Sequence, residues 1–121
     1  MKVRRFEDLI AWQKAMDLAV DVYGITRRRP LSRDFALSDQ IHRAAISIPA
    51  NIAEGFERAT RAEFHRFLSI GKASCAELIT HLYLAHRLAY LDDATFDALH
   101  AQAAEVSRVV GGLRAKIGSQ R

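Results

Sequence analysis

Little in this chain interrupts or staples a fold. One cysteine, Cys75, stands among 121 residues. No internal disulfide can form, and a reducing cytoplasmic compartment is the expectation. The two prolines, Pro30 and Pro49, and six glycines leave long stretches unpunctuated. No run approaches the roughly 20 uncharged apolar residues of a spanning helix. The amino-terminal Met1-Lys2-Val3-Arg4-Arg5-Phe6-Glu7 leads into acidic residues, not a signal-type apolar run, so neither export nor membrane insertion is expected. At this length about one domain fits, spanning 1–121, and a two-domain enzyme with its own cofactor fold is excluded.

Catalytic and metal-binding patterns are equally scarce. The five histidines, His42, His65, His81, His86 and His100, form no i,i+3 or i,i+4 pair and no Glu-x-x-His element of the kind that di-iron bundles place on facing helices. Cys75 falls at a core-type position with no electropositive neighbour to make a reactive thiolate. Gly111-Gly112 follows no strand, so it is not a phosphate loop. No cofactor, metal or catalytic set is expected, and the chain reads as a non-enzyme.

What is present is apolar side chain and arginine. Half the residues are hydrophobic and 26% are charged, a globular composition with ample material for a core. The net charge is +4 and 14 of the 18 basic residues are Arg, a bias that suits phosphate or carboxylate contact. Residues 1–33 carry eight basic and four acidic groups, so the positive excess lies toward the amino terminus. A charge of this size also serves solubility alone.

The apolar residues recur at helical spacing, which predicts an all-α chain. Leu9, Trp12, Met16, Ala19 and Tyr23 form the seam of a helix over about 7–28, ended by Pro30. Leu37, Ile41, Ala44, Ile48 and Ile52 mark a second over about 35–57. Pro49 lies inside it, and the reading is a helix kinked near Pro49, the alternative being a break at Ile48. Thr60-Arg61-Ala62-Glu63 is a capping-box pattern that opens a third helix over about 61–90. Asp92-Asp93 supply a turn and an anionic start for a fourth over about 93–117. Short connections between long helices predict an antiparallel up-down-up-down four-helix bundle.

Three sets of residues are left over once this core is assigned. The first helix carries a second apolar stripe, Leu18, Val22 and Ile25, read as lying opposite the seam. Helix 2 repeats this weakly with Ile46, Ala50 and Ala53. An uncovered stripe marks a subunit interface, and the alternative is a monomer with a few exposed aliphatics. Helix 2 also carries a polar stripe of Gln40, Arg43, Ser47, Asn51, Glu54 and Arg58, which serves either packing or a ligand site. Arg27, Arg28, Arg29 and Arg33 cluster near the end of helix 1. They are candidates for nucleic-acid contact, or simply offset the helix dipole.

The run from Arg43 through Ala45-Ile46-Ser47-Ile48-Pro49-Ala50-Asn51-Ile52-Ala53-Glu54-Gly55 to Arg58 resembles the signature of the 23S rRNA intervening-sequence protein family, also called four-helix bundle proteins. Phe6-Glu7-Asp8-Leu9 with Trp12, Gln13 and Ala15 resembles that family's amino-terminal motif. Glu63-Phe64, Phe67-Leu68, Ala73, Ser74, Glu77 and Leu78 resemble its third helix. The resemblance implies antiparallel bundles assembled as homopentameric rings. Through the related accessory variability determinant of diversity-generating retroelements, it also implies contact with RNA and a reverse transcriptase. The expected protein is a homo-oligomeric scaffold touching RNA or an RNA-handling protein through a basic surface. The alternatives are a purely structural or protein-binding ring, and a small-molecule binder that uses the polar stripe of helix 2.

Overall fold

The computed structural model describes residues 3–119. Among these the chain is helical throughout, with no strand: α1 spans Ile10–Thr26, α2 Phe35–Glu57, α3 Arg61–Arg87 and α4 Asp93–Ser119. Single 3-10 turns at Phe6–Asp8 and Leu31–Arg33 precede α1 and α2. The first helix is therefore shorter than its apolar pattern. Leu9 is extended, and it separates the opening turn from α1. Pro30 follows a cis Arg29–Pro30 bond and leads into the second turn.

Side-chain caps fix most starts. The Thr60 hydroxyl accepts from the Glu63 amide at 3.1 Å, the first half of the expected box. The Glu63 carboxylate pairs with Arg66 instead of closing the second half. Asp92 accepts from the Thr95 amide at 2.8 Å, and that bond holds its carboxyl below the usual range. Asp34 does the same for α2, accepting from the Leu37 amide, and also takes a hydrogen bond from the Tyr90 hydroxyl at 3.0 Å. This second bond ties the α3–α4 turn to the start of α2.

The end of α3 is shorter than the expected 90. Ala89 adopts the left-handed conformation at φ 62, the Tyr90 amide reaches back to the Ala85 carbonyl, and the Ala89 amide reaches the His86 carbonyl. That paired closure is a Schellman motif, with alanine where glycine is usual. Within α2, by contrast, Pro49 ends nothing. The helix runs unbroken from Phe35 to Glu57, and Pro49 is buried, so the packing around it offsets the backbone bond it cannot make.

Each helix packs on two others: α1 on α2 and α4, and α3 on α2 and α4. Along α3 and α4, Ser69 meets Arg114, Lys72 meets Ser107, Tyr83 meets His100 and His86 meets Asp93; the numbers rise on one helix and fall on the other, so this pair is antiparallel. The core they enclose includes Leu18, Val22, Ile41, Ile48, Ile52, Leu68, Leu78, Leu82, Val106 and Val110, all below 2% exposed. At its tightest point a Cβ on Gly55 would lie 2.7 Å from the Phe67 Cβ, so α2 and α3 approach more closely there than any side chain permits. Gly71 is different, since its nearest neighbour would be the Ile48 carbonyl at 3.6 Å.

Helix 1 corrects the sequence reading. Leu18 and Val22, read as a stripe left over for another subunit, are 0% and 1% exposed within a single chain. With Ala11, Ala15 and Thr26 they form the buried face of α1. Ile25 packs half-buried against the same core. Of the expected seam only Leu9 is buried, while Trp12, Ala19 and Tyr23 are half-buried and Met16 is exposed. The two stripes are not diametrically opposite. At 3.6 residues per turn their centres sit roughly 130° apart, so together they cover a broad apolar arc of α1, and the core takes the part centred on Leu18 and Val22.

Candidate functional site

The exposed part of that arc builds a surface. Met16, Ala19, Val20 and Tyr23 of α1 face Ile46 and Pro49 of α2 across a groove of about 480 Å³, with Arg27 at its rim. Val20 is 65% exposed and Ile46 48%. Grouped apolar exposure of this kind marks an interaction surface more than scattered aliphatics do. At one end the Tyr23 ring stacks on His42, with centroids 4.0 Å apart and planes within 6°. His42 Nε2 and the Thr26 hydroxyl lie 2.6 Å apart, and that hydroxyl also donates to the Tyr23 carbonyl. Burial pushes the His42 pKa down, with Asp39 opposing. Beyond His42 the face continues over Phe35, 78% exposed. Of these, the sequence reading noted only Ile46 as lying off its seam. Val20 and Phe35 follow no clean stripe, and periodicity does not reveal them.

The arginine cluster is exposed throughout: Arg27, Arg28, Arg29 and Arg33 all stand in solvent. The structure brings three of them to adjoining hollows. Arg27 and Arg28 line a groove of about 660 Å³ between α1 and the start of α4. Arg28 and Arg29 line a smaller one of about 150 Å³ with Tyr90, Asp92 and Thr95. Arg33 lies on the 3-10 turn before α2 and lines none of these hollows. Among the described residues none of the four forms an ion pair, although Arg28 is near enough to help lower the Asp92 pKa. Arg27 therefore sits where the apolar groove and the basic patch meet.

The polar stripe of α2 divides into a packed middle and open ends. Asn51 donates to the Ser47 carbonyl and hydroxyl at 2.8 and 2.9 Å, and Ser47 meets the buried Ser74 of α3 at 2.7 Å. Ser74 in turn donates to the Ile70 carbonyl. Ser47 thus reaches across to α3, and not back to Arg43 along its own helix. Glu54 and Arg58 form an i,i+4 pair at 2.7 Å in solvent, and Arg43 pairs with Asp39 outside the stripe. Gln40 lines a shallow groove beside His81.

Cys75 is buried, and desolvation pushes its thiol up to about 11, which leaves it protonated and unreactive. No group of three or more His, Cys, Asp or Glu among the described residues is placed to hold a metal. Nor is any described helix long and apolar enough to cross a membrane.

Known proteins give the same picture of the fold. The chain superposes on a crystal structure from Bacteroides thetaiotaomicron VPI-5482, a protein of unknown function from the S23 ribosomal protein family, with a TM-score of 0.80 and 24% identity. The match covers 87% of this chain and 98% of that one. No curated protein matches the sequence. The model of the 23S rRNA-intervening sequence protein family matches residues 7–112, nearly the whole bundle from the opening 3-10 turn to the last third of α4. The chain belongs to the 23S rRNA-intervening sequence protein family.

Proposed function

We infer that the protein is a non-enzymatic, self-assembling helical scaffold that joins its copies through the apolar groove between α1 and α2. The observation that carries this reading is the exposed apolar face of Met16, Val20, Tyr23 and Ile46, which an isolated chain leaves in water. The interface is thereby moved from Leu18, Val22 and Ile25 to the neighbouring part of the same arc. A closed ring repeats this heterologous contact in every subunit, and the family resemblance supports a pentamer. The Ser47, Asn51 and Ser74 bonds act in packing, since each satisfies a partner at the α2–α3 contact.

Arg27, Arg28 and Arg29 carry the second half of the reading. In a ring each subunit repeats the cluster beside the interface, and a modest charge per chain becomes a strong local field. The expected ligand is RNA, held through phosphates without sequence preference. Filter retention of a mixed-sequence RNA across a salt series tests this. With about five to ten phosphates neutralised per assembly, log affinity falls against log salt with a slope of several units. Changing Arg27, Arg28 and Arg29 together to Ser flattens that slope while the oligomer persists. Absence of retention at low salt leaves a ring that binds only protein.

A further inference from the structure

A different face, the contact of α3 with α4, holds two part-buried cations through serine hydroxyls. Arg5, Lys14, Arg43, Arg58 and Arg66 each pair with a carboxylate. Lys72 and Arg114 are half-buried, and each is held by a serine hydroxyl. Lys72 Nζ donates to Ser107 Oγ at 3.0 Å and approaches the Ser107 carbonyl at 3.4 Å. Arg114 Nη1 donates to Ser69 Oγ at 3.3 Å, and Ser69 donates onward to the His65 carbonyl. Among the described residues neither cation forms an ion pair with a carboxylate. Glycines of α4 lie against these α3 side chains: a Cβ on Gly111 would lie 3.3 Å from Lys72 Nζ, and one on Gly118 would lie 3.3 Å from the His65 ring.

Partly desolvated cations are ordinarily neutralised by an anion. Here the two are anchored about one helical turn apart on α3, at Ser69 and Lys72, with their fixed hydrogen bonds going to neutral oxygens. A tetrahedral oxyanion matches such a pair, because a lysine supplies a point charge, an arginine a directional fork, and the Ser107 hydroxyl, which only accepts from Lys72, a further donor. We propose that Lys72, Arg114 and Ser107, with Ser69 orienting the arginine, form a binding site for a phosphate group at the contact of α3 and α4, separate from the arginine cluster of α1. The same chemistry comes from free phosphate or from the phosphate of a nucleotide.

The test uses the full chain with inorganic phosphate, and in a second arm a nucleoside monophosphate, against chloride at matched ionic strength. Phosphate at about ten times its dissociation constant raises the melting temperature by about 3–6 °C. It also shifts the amide NMR signals of Ser107, Gly111 and Lys72 in the unmodified protein. A stronger effect from the nucleotide identifies a nucleotide as the source, and an equal one identifies free phosphate. Lys72→Met with Arg114→Gln abolishes the thermal shift. Arg27, Arg28 and Arg29 changed together to Ser leave it intact, which separates this site from the basic patch of the proposed scaffold. An effect no larger than that of chloride, a shift that persists in the Lys72/Arg114 variant, or NMR changes centred on α1 overturns the proposal. Should the double variant fail to fold, the NMR map on the unmodified chain decides alone.

Discussion

The two apolar stripes of α1 are alike as sequence and unlike as structure. Leu18 and Val22 are sealed inside the bundle, whereas Met16 of the other stripe, two residues from Leu18, faces solvent, as does Val20 beside it. Periodicity finds both stripes, because each repeats at helical steps, but it does not rank them. The ranking comes from what the other helices present. The core side of α1 meets α2 and α4, and small Ala11 and Ala15 on that side let those helices approach. The larger Trp12, Met16 and Tyr23 are pushed to the border. Bulk in a stripe is thus a poor sign of depth, and small residues flanking a stripe are a better one.

The sharpest way to break this comparison is to charge the buried stripe and then the exposed face in turn. Leu18→Asp places an unpaired carboxylate in the centre of the core and is expected to cost about 4 kcal/mol or more, enough to lose the helical signal at room temperature in a marginally stable domain. Val20→Asp keeps the helical circular dichroism of the parent at room temperature, since the change lies outside the core. Equal losses from the two would contradict the assignment of the faces.

Glycines give the same lesson at the α2–α3 contact. Gly55→Ala has to displace the Phe67 Cβ, and overpacking of this kind is expected to destabilise by about 1–3 kcal/mol in a denaturant melt. Gly71→Ala meets only ordinary contacts and gains helix propensity, so it is neutral or stabilising by up to about 1 kcal/mol. Of the two glycines, only Gly55 enforces close approach of the helices.

Smaller effects probe the edges of the bundle. His42 has a depressed pKa in the folded chain, so the neutral ring is the form that favours folding. Its contribution is complete above the unfolded value of 6.5 and is lost as pH falls below that value toward the folded one. Melting temperatures measured across this interval are expected to decline less in His42→Gln than in the parent. At Ala89 the left-handed backbone costs an alanine more than a glycine. Ala89→Gly is therefore expected to stabilise by about 0.5–1 kcal/mol in a chemical melt.

Much of the architecture is legible in the residues. The helix count, the Thr60 and Asp92 starts and the apolar repeats of α2 to α4 follow from capping chemistry and period. The end of α3 is less so, because an alanine in the left-handed conformation gives none of the glycine signal that normally marks such a closure. The Asp34 cap of α2 also escapes a reading based on apolar periodicity, as does its bond to Tyr90, which joins residues far apart in the chain. The candidate site was visible as a class of feature, an apolar stripe left over on helix 1. Its residues were not, since the choice between two adjoining stripes depends on packing. The cations Lys72 and Arg114 carry no motif at all, and only the antiparallel pairing of α3 with α4 sets each against a serine of the facing helix.

The central claim is assembly through the α1–α2 face, and light scattering at micromolar concentration tests it most directly. The account predicts that the parent protein is an oligomer, with about five times the mass of the 13.6 kDa chain. Val20→Asp with Ile46→Asp should be a folded monomer with the parent's helical spectrum. A monomeric parent, or a double variant that keeps the oligomer's mass, contradicts it.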